Sequence, residues 1–241
     1  KPRADAPRGF AGTAPASVSE ADGMDAEKTG GAMSPELRRN ISILWSGNLI
    51  APFLLAGVSA MLPAMGDTLG ASAVGLSLVM VFYNLGQTIA QLLGGRLGAL
   101  FGIRRVLMWS MYLFIALLAL MAVTPSIGVA VGLRFGQGVA AGAVSCCVTA
   151  LSVLIAPPRM RARVMGIVVT SVYLGLTMGP FVCGTLTELT GWRTVFLIIT
   201  AAAALLCPGI MKLPADEAAA PGGGMDAACV MLLIAGVTAV T

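Results

Sequence analysis

One arginine stands inside the long apolar stretches of this sequence. Arg134 lies in an apolar run that extends from Ile127 to Ala156. A charge within a stretch long enough to cross a bilayer is costly, so it usually marks a functional site. Gln137 follows three residues later and falls on the same face of a helix.

Two more polar stripes lie on other apolar runs, one on the second and one on the fifth. Together the three stripes predict an aqueous or ligand-facing cavity between helices. The alternative is that these side chains hydrogen-bond neighbouring helices in a closed bundle. The predicted cavity residues are Arg134, Gln137, Asn84, Gln87, Tyr173 and Thr177.

Several kinds of chemistry are disfavoured by the residue types. The sequence has no histidine, which removes Ser-His-Asp and Cys-His catalysis and every His-ligated metal site. The five cysteines lie in apolar runs without a regular spacing and are interpreted as small apolar residues. No Asp or Glu falls inside the six long apolar runs. We therefore expect neither an enzyme, nor a metal site, nor a cofactor.

The composition indicates a membrane protein. Of the 241 residues, 57% are apolar and 11% are charged, whereas soluble domains have about 25% charged residues. A water-soluble globule could not cover its surface with so few charges. The net charge of +4 does not indicate nucleic-acid binding, because the basic residues form short clusters between apolar runs.

The apolar runs predict an all-α integral membrane protein. Six runs are long enough to span a bilayer, and a seventh is short. The six runs cover residues 41–63, 71–95, 106–123, 127–156, 164–186 and 194–211. The predicted organisation is a disordered cytoplasmic arm (1–40), a six-helix transmembrane bundle (41–211), a cytoplasmic linker (212–226) and the start of a truncated seventh helix (227–241).

The basic residues between the runs predict the orientation. Nine of the ten fall on one side if the six runs alternate, and only Arg193 falls on the other. An excess of Lys and Arg marks the cytoplasmic side, so we expect a multi-pass protein of the plasma or inner membrane with a cytoplasmic N-terminus. The nine residues are Arg38, Arg39, Arg96, Arg104, Arg105, Arg159, Arg161, Arg163 and Lys212.

Three motifs resemble those of the major facilitator superfamily, in particular the fourteen-helix branch of drug:proton antiporters. Arg134, Gln137 and Gly138 resemble its fourth-helix pattern R-x-x-Q-G. The loop after the second run is similar to G-x-L-x-D-R-x-G-R-R, although Ala99 and Leu100 replace its acid and the arginine that follows. The matching loop residues are Gly95, Leu97, Gly102, Arg104 and Arg105.

The fifth run is similar to the antiporter pattern G-x-x-x-G-P-x-x-G-G. Its matching residues are Gly175, Gly179, Pro180 and Gly184, with Cys183 in place of one glycine. The exporter branch often has an Asp in helix one, and that place holds Leu54 here. If protons are exchanged, we expect their carrier to lie outside this half.

The resemblance implies the N-terminal half of a secondary transporter that exports amphipathic organic compounds by alternating access. The implied partners are a small-molecule substrate, the lipid bilayer and a missing C-terminal half, which residues 1–241 alone would need in order to transport. The alternatives are an uptake carrier of the same superfamily and a non-transporting remnant or scaffold.

From its depth we expect Arg134 to turn inward and hydrogen-bond the Leu176 carbonyl freed by Pro180, or cavity water there. The alternative is that it extends outward to the interface.

Overall fold

Six long helices make up the part of the chain that the structure describes, a computed structural model covering residues 33–211 and Leu213. No strand occurs in these residues, and all six helices are long and apolar enough to cross a membrane. The all-α membrane fold is therefore confirmed. The helices are α1 (Pro35–Leu69), α2 (Ala73–Phe101), α3 (Ile103–Ala122), α4 (Ile127–Ile155), α5 (Arg161–Thr190) and α6 (Trp192–Met211).

The helices extend beyond the apolar runs. α1 begins at Pro35 with Glu36 in its first turn, so the prediction of a disordered arm is wrong for residues 35–40. Proline fits the first turn of a helix, and an acidic side chain there interacts favourably with the helix dipole. The prediction missed these residues because hydropathy identifies only the apolar part of a helix. The arm before Met33, the linker other than Leu213 and the seventh helix lie outside the described residues.

Single glycines join two of the helix pairs. Gly102 separates α2 from α3 with φ 87°, and Gly191 separates α5 from α6 with φ 85°. Each donates its N–H to the carbonyl four residues earlier, Gly98 or Thr187. Side chains disfavour this left-handed φ, so glycine is needed where the chain reverses within one residue. This explains Gly102 of the loop motif by backbone geometry alone.

α2 and α4 approach each other through glycine. A Cβ atom on Gly138 would clash with the Tyr83 carbonyl oxygen, and one on Gly142 would clash with the Gln87 carbonyl oxygen. A Cβ on Gly86 would in turn meet the Phe135 carbonyl oxygen. Small residues permit such backbone contact between membrane helices. We call these two helices the α2–α4 pair.

α1 and α5 form a second pair built in the same way. A Cβ on Gly175 would lie 2.8 Å from the Phe53 nitrogen and 2.9 Å from the Leu49 oxygen. Gly179 faces the Phe53 carbonyl, and Gly57 faces Cys183 of α5. Glycine on both helices therefore permits the backbones of α1 and α5 to approach closely. α5 continues unbroken through Pro180. We call these helices the α1–α5 pair.

The first turn of α6 links three helix ends. The Trp192 indole donates to Thr68 Oγ1 of α1 at 2.8 Å. Arg193 donates to the carbonyls of Ala122 at 3.3 Å and Thr124 at 3.0 Å, at the end of α3. Its guanidinium lies 4.7 Å from the centre of the Trp192 ring. The Arg193 guanidinium therefore has two backbone carbonyls as hydrogen-bond acceptors.

The glycine contact gives a stability prediction with a matched control in α4. Gly138→Ala should lower the free energy of unfolding in detergent by about 1–3 kcal/mol, because the added methyl group must push the α2 backbone away. Gly132→Ala should leave stability unchanged or raise it by up to about 1 kcal/mol, since a Cβ there meets nothing within 4 Å. Equal effects of the two substitutions would show that α2 and α4 do not touch at Gly138.

Candidate functional site

Arg134 lies within the helix bundle. Its side chain is 1% exposed. The guanidinium carbon is 5.6 Å from the centre of the Tyr83 ring on α2 and 5.3 Å from that of Phe196 on α6. Desolvated cation–π contacts of this kind are worth about 2 kcal/mol. The inward direction is therefore confirmed, and extension to the interface is wrong.

The predicted hydrogen bond of Arg134 to the Leu176 carbonyl is wrong. Within the described part of the chain, Nε and Nη2 of Arg134 have no hydrogen-bond partner. Leu176 itself is on the exposed side of α5, whereas the buried side of α5, with Gly175 and Gly179, is taken up by α1. The guanidinium is held by aromatic rings of α2 and α6 instead of by the α5 backbone.

Gln137 accompanies Arg134 in the interior, as the spacing predicted. It is 0% exposed, and its Nε2 donates to the Leu117 carbonyl of α3 at 3.0 Å. Its Oε1 has no partner among the described residues. Residues three apart on a helix are neighbours, so α4 places two donors and one acceptor that lack partners in one buried region.

The aromatic residues at this site were not found from the sequence. Tyr83 is 1% exposed and donates its hydroxyl to the Ala51 carbonyl of α1 at 3.4 Å. Phe196 is fully buried as well. Aromatic residues at helical spacing indicate a core and nothing more specific, so no pattern could associate these two with Arg134. Their role follows only from the packing of α2, α4 and α6.

The polar stripes of α2 and α5 do not converge on Arg134. Asn84, Thr177 and Tyr173 are exposed, the last by 65%, and Gln87 is partly buried. Asn84 donates to the Met80 carbonyl at 3.0 Å and Thr177 to the Tyr173 carbonyl at 2.8 Å, both within their own helices. The structure thus separates the predicted cavity residues into a buried group on α4 and exposed groups on α2 and α5.

The remaining motif residues serve packing and helix ends. A Cβ atom on Gly184 would lie 3.5 Å from the Cβ of Ala60 on α1, whereas one on Gly95 would meet nothing within 4 Å. Pro180 and Arg104 are partly buried, and Arg105 is exposed beside the Gly102 turn.

A groove of about 830 Å³ lies between α2, the start of α3 and the second half of α4. Its lining includes Gln91 of α2 together with Ser145 and Thr149, which continue the polar stripe of Arg134 and Gln137 toward the C-terminal end of α4. The α4 stripe therefore passes from the buried Arg134 to an open groove.

The described residues hold three carboxylates, and all lie near helix ends. Glu36 is in the first turn of α1, Asp67 in its last turn and Glu188 in the last turn of α5. No group of three His, Cys, Asp or Glu that could hold a metal ion occurs between Met33 and Leu213. Within these residues, the charge of Arg134 thus has aromatic neighbours but no acidic one.

Sequence relatives include proteins named as transporters or resistance proteins. An uncharacterised MFS-type transporter of Mycobacterium tuberculosis is 32% identical over 191 residues, which cover 78% of this chain and 28% of the relative. The lincomycin resistance protein of Streptomyces lincolnensis is 32% identical over 75% of this chain and 39% of its own. The methylenomycin A resistance protein of Bacillus subtilis is 31% identical over 65% and 34%. The chain thus spans about a third of the length of these relatives.

Solved transporters share the fold. A proton:xylose symporter bound to 6-bromo-6-deoxy-D-glucose matches 74% of this chain and 45% of its own with a TM-score of 0.67 and 16% identity. A peptide transporter in complex with alafosfalin matches 83% of this chain and 45% of its own with a TM-score of 0.66 and 19% identity. The family model of the Major Facilitator Superfamily matches residues 44–234. Because this model covers most of the chain, the multi-pass membrane chain belongs to the Major Facilitator Superfamily.

Proposed function

We propose that this chain is the N-terminal six-helix half of a secondary transporter that exports amphipathic organic compounds by alternating access. The observation that carries the proposal is the set of relatives named for resistance or efflux, at 29–32% identity over 58–75% of the chain. In this family, two six-helix halves rock around a site near the middle of the membrane. The chain would lie in the plasma or inner membrane with its N-terminus in the cytoplasm.

The exposed polar residues of α2 and α5 support a partner beyond these six helices. Large apolar side chains cover much of the exterior, with Leu205 of α6 81% exposed and Trp109 of α3 66% exposed, as lipid contact requires. Asn84, Tyr173 and Thr177 are also exposed, and polar groups rarely face lipid. A second half of the transporter and a polar cavity would give these side chains a suitable environment.

Arg134 is the residue we propose as the organiser of that site. Burying this cation without an acidic neighbour lowers stability, so we infer that the function needs a fixed cation at this position.

The coupling ion is a separate question. Proton exchange normally uses a buried titratable group, and the carboxylates of the described helices lie near helix ends, so a proton carrier would lie elsewhere in the transporter.

Transport is tested with the protein expressed from its complete reading frame. Cells that express it should accumulate less of a fluorescent amphipathic dye than cells with an empty vector, and inverted vesicles should take the dye up when energised. Increased accumulation in cells would indicate the uptake carrier. No saturable flux in either direction would indicate a non-transporting remnant.

Arg134→Lys should lower that dye flux at least tenfold while leaving the amount of protein in the membrane unchanged. Lysine keeps the charge but loses the planar array of donors. Protein amount is measured by a fluorescent tag in the same vesicles. Full activity of Arg134→Ala would remove the role assigned to this residue.

The orientation is tested by labelling single cysteines in a cysteine-free background. Cysteine at position 67 should react with an impermeant maleimide added to intact cells, and cysteine at position 161 should react only after the membrane is opened. The reason is that nine of the ten basic residues between the runs fall on the side of residue 161. Labelling of position 161 but not 67 from outside would reverse the topology.

A further inference from the structure

One edge of the Arg134 guanidinium is left without partners. Nε and Nη2 are both buried, and neither has a hydrogen-bond partner in the described chain. The two N–H groups on this edge are parallel, which is the geometry that binds both oxygens of a carboxylate. We propose that this edge of Arg134 binds a single carboxylate group.

The neighbouring rings leave the edge available. Tyr83 and Phe196 attract the cation through their π-electrons, but a ring face does not replace an acceptor for two in-plane N–H groups. The Tyr83 hydroxyl is directed to the Ala51 carbonyl at 3.4 Å. The aromatic contacts therefore hold Arg134 in place without using the donors that would recognise an anion.

No acid of the described helices is placed to fill this edge. Glu36, Asp67 and Glu188 all lie in a first or last helical turn. Leu54, at the place where the exporter branch often has an acid, is 0% exposed and belongs to the same apolar cluster as Tyr83 and Phe196. The carboxylate must come from a small organic acid or from a part of the transporter outside the described residues.

Gln137 adds a second requirement. Its unpartnered Oε1 is an acceptor one helical turn from Arg134, so it would repel another anionic oxygen and bind a hydroxyl or amine proton. A carboxylate with a neighbouring hydrogen-bond donor satisfies both residues. The assignment of such organic acids as substrates rests on the proposed transport function. The binding of a carboxylate to Arg134 does not depend on that function.

The route to the edge is between the two helix pairs. Within the α2–α4 and α1–α5 pairs, the glycines bring backbone against backbone. Between the pairs, the contacts are made by side chains: Tyr83 of α2 donates to the Ala51 carbonyl of α1 at 3.4 Å, and Leu54 and Val58 of α1 share an apolar cluster with Tyr83. A small separation of the pairs would therefore admit a ligand without disrupting either.

The test measures thermal unfolding in detergent with benzoate as the probe and its neutral isostere benzamide as the control. It uses both the 241-residue chain and the complete transporter. Benzoate at ten times its dissociation constant should raise the melting temperature by about 3–6 °C, and benzamide should not. Arg134→Gln should abolish this rise. Arg193→Gln should retain it, because Arg193 uses its donors on the Ala122 and Thr124 carbonyls.

The outcomes separate the two sources of the carboxylate. A rise in both proteins supports a small organic acid, and a rise only in the 241-residue chain supports a carboxylate supplied by the rest of the transporter. No rise in either protein, or an equal rise with Arg134→Gln, overturns the proposal. A rise without any transport flux would refute the proposed function and leave the binding site standing.

A second variant covers the case in which Arg134→Gln does not fold. Leu54→Asp should place a carboxylate in the apolar cluster that contains Tyr83 and Phe196, raise the melting temperature above that of the unchanged chain and remove the response to benzoate. A Leu54→Asp protein that still responds to benzoate as the unchanged chain does would also overturn the proposal.

Discussion

Backbone contact between helices, permitted by glycine, is the constraint on which the rest of this bundle depends. On α4, Gly138 and Gly142 lie one and two turns beyond Arg134, on nearly the same face of the helix. The residue whose carbonyl faces Gly138 is Tyr83. Its ring is therefore brought to the guanidinium of Arg134 one turn away. The same contact that joins α2 to α4 thus builds one wall of the candidate site.

The enclosed cation is the main electrostatic feature that follows from this packing. A charge removed from water without an acidic partner is costly, and partial compensation by aromatic rings does not supply hydrogen-bond acceptors. Arg193 shows the contrasting case, because its guanidinium reaches two carbonyls at the end of α3 and stacks on Trp192. Two arginines with similar aromatic neighbours thus differ in whether their donors are used. That difference distinguishes Arg193, which fastens helix ends, from Arg134, whose Nε and Nη2 have no partner within the described residues.

The number of helices and the burial of Arg134 with Gln137 were predictable because they depend on local chemistry. Bilayer thickness fixes the length of an apolar run, and helical periodicity puts residues 134 and 137 on one face. Gly138, Gly175 and Gly179 were also predictable as contact points, because small residues permit close approach of membrane helices. The exact ends of α1 were not, since Pro35 and Glu36 extend the helix into a charged segment.

The partners of Arg134 could not be predicted, because they depend on how three helices meet. A proline that frees the Leu176 carbonyl indicates an acceptor, but not on which side of α5 it becomes accessible. Likewise Tyr83 precedes Asn84 in the sequence, yet the first is buried and the second exposed. Sequence spacing assigns side chains to the faces of one helix, and only the packing decides which face of another helix they meet.

The central claim is that the Arg134 cation is held inside the bundle by aromatic contact. A double-mutant cycle between Arg134 and Phe196 measures this directly, with Arg134→Gln, Phe196→Leu and the combined variant compared by unfolding of the 241-residue chain in detergent. A desolvated cation–π contact predicts a coupling free energy of about 1–2 kcal/mol. Additive effects, with coupling within about 0.3 kcal/mol of zero, would mean that the guanidinium does not lie against this ring.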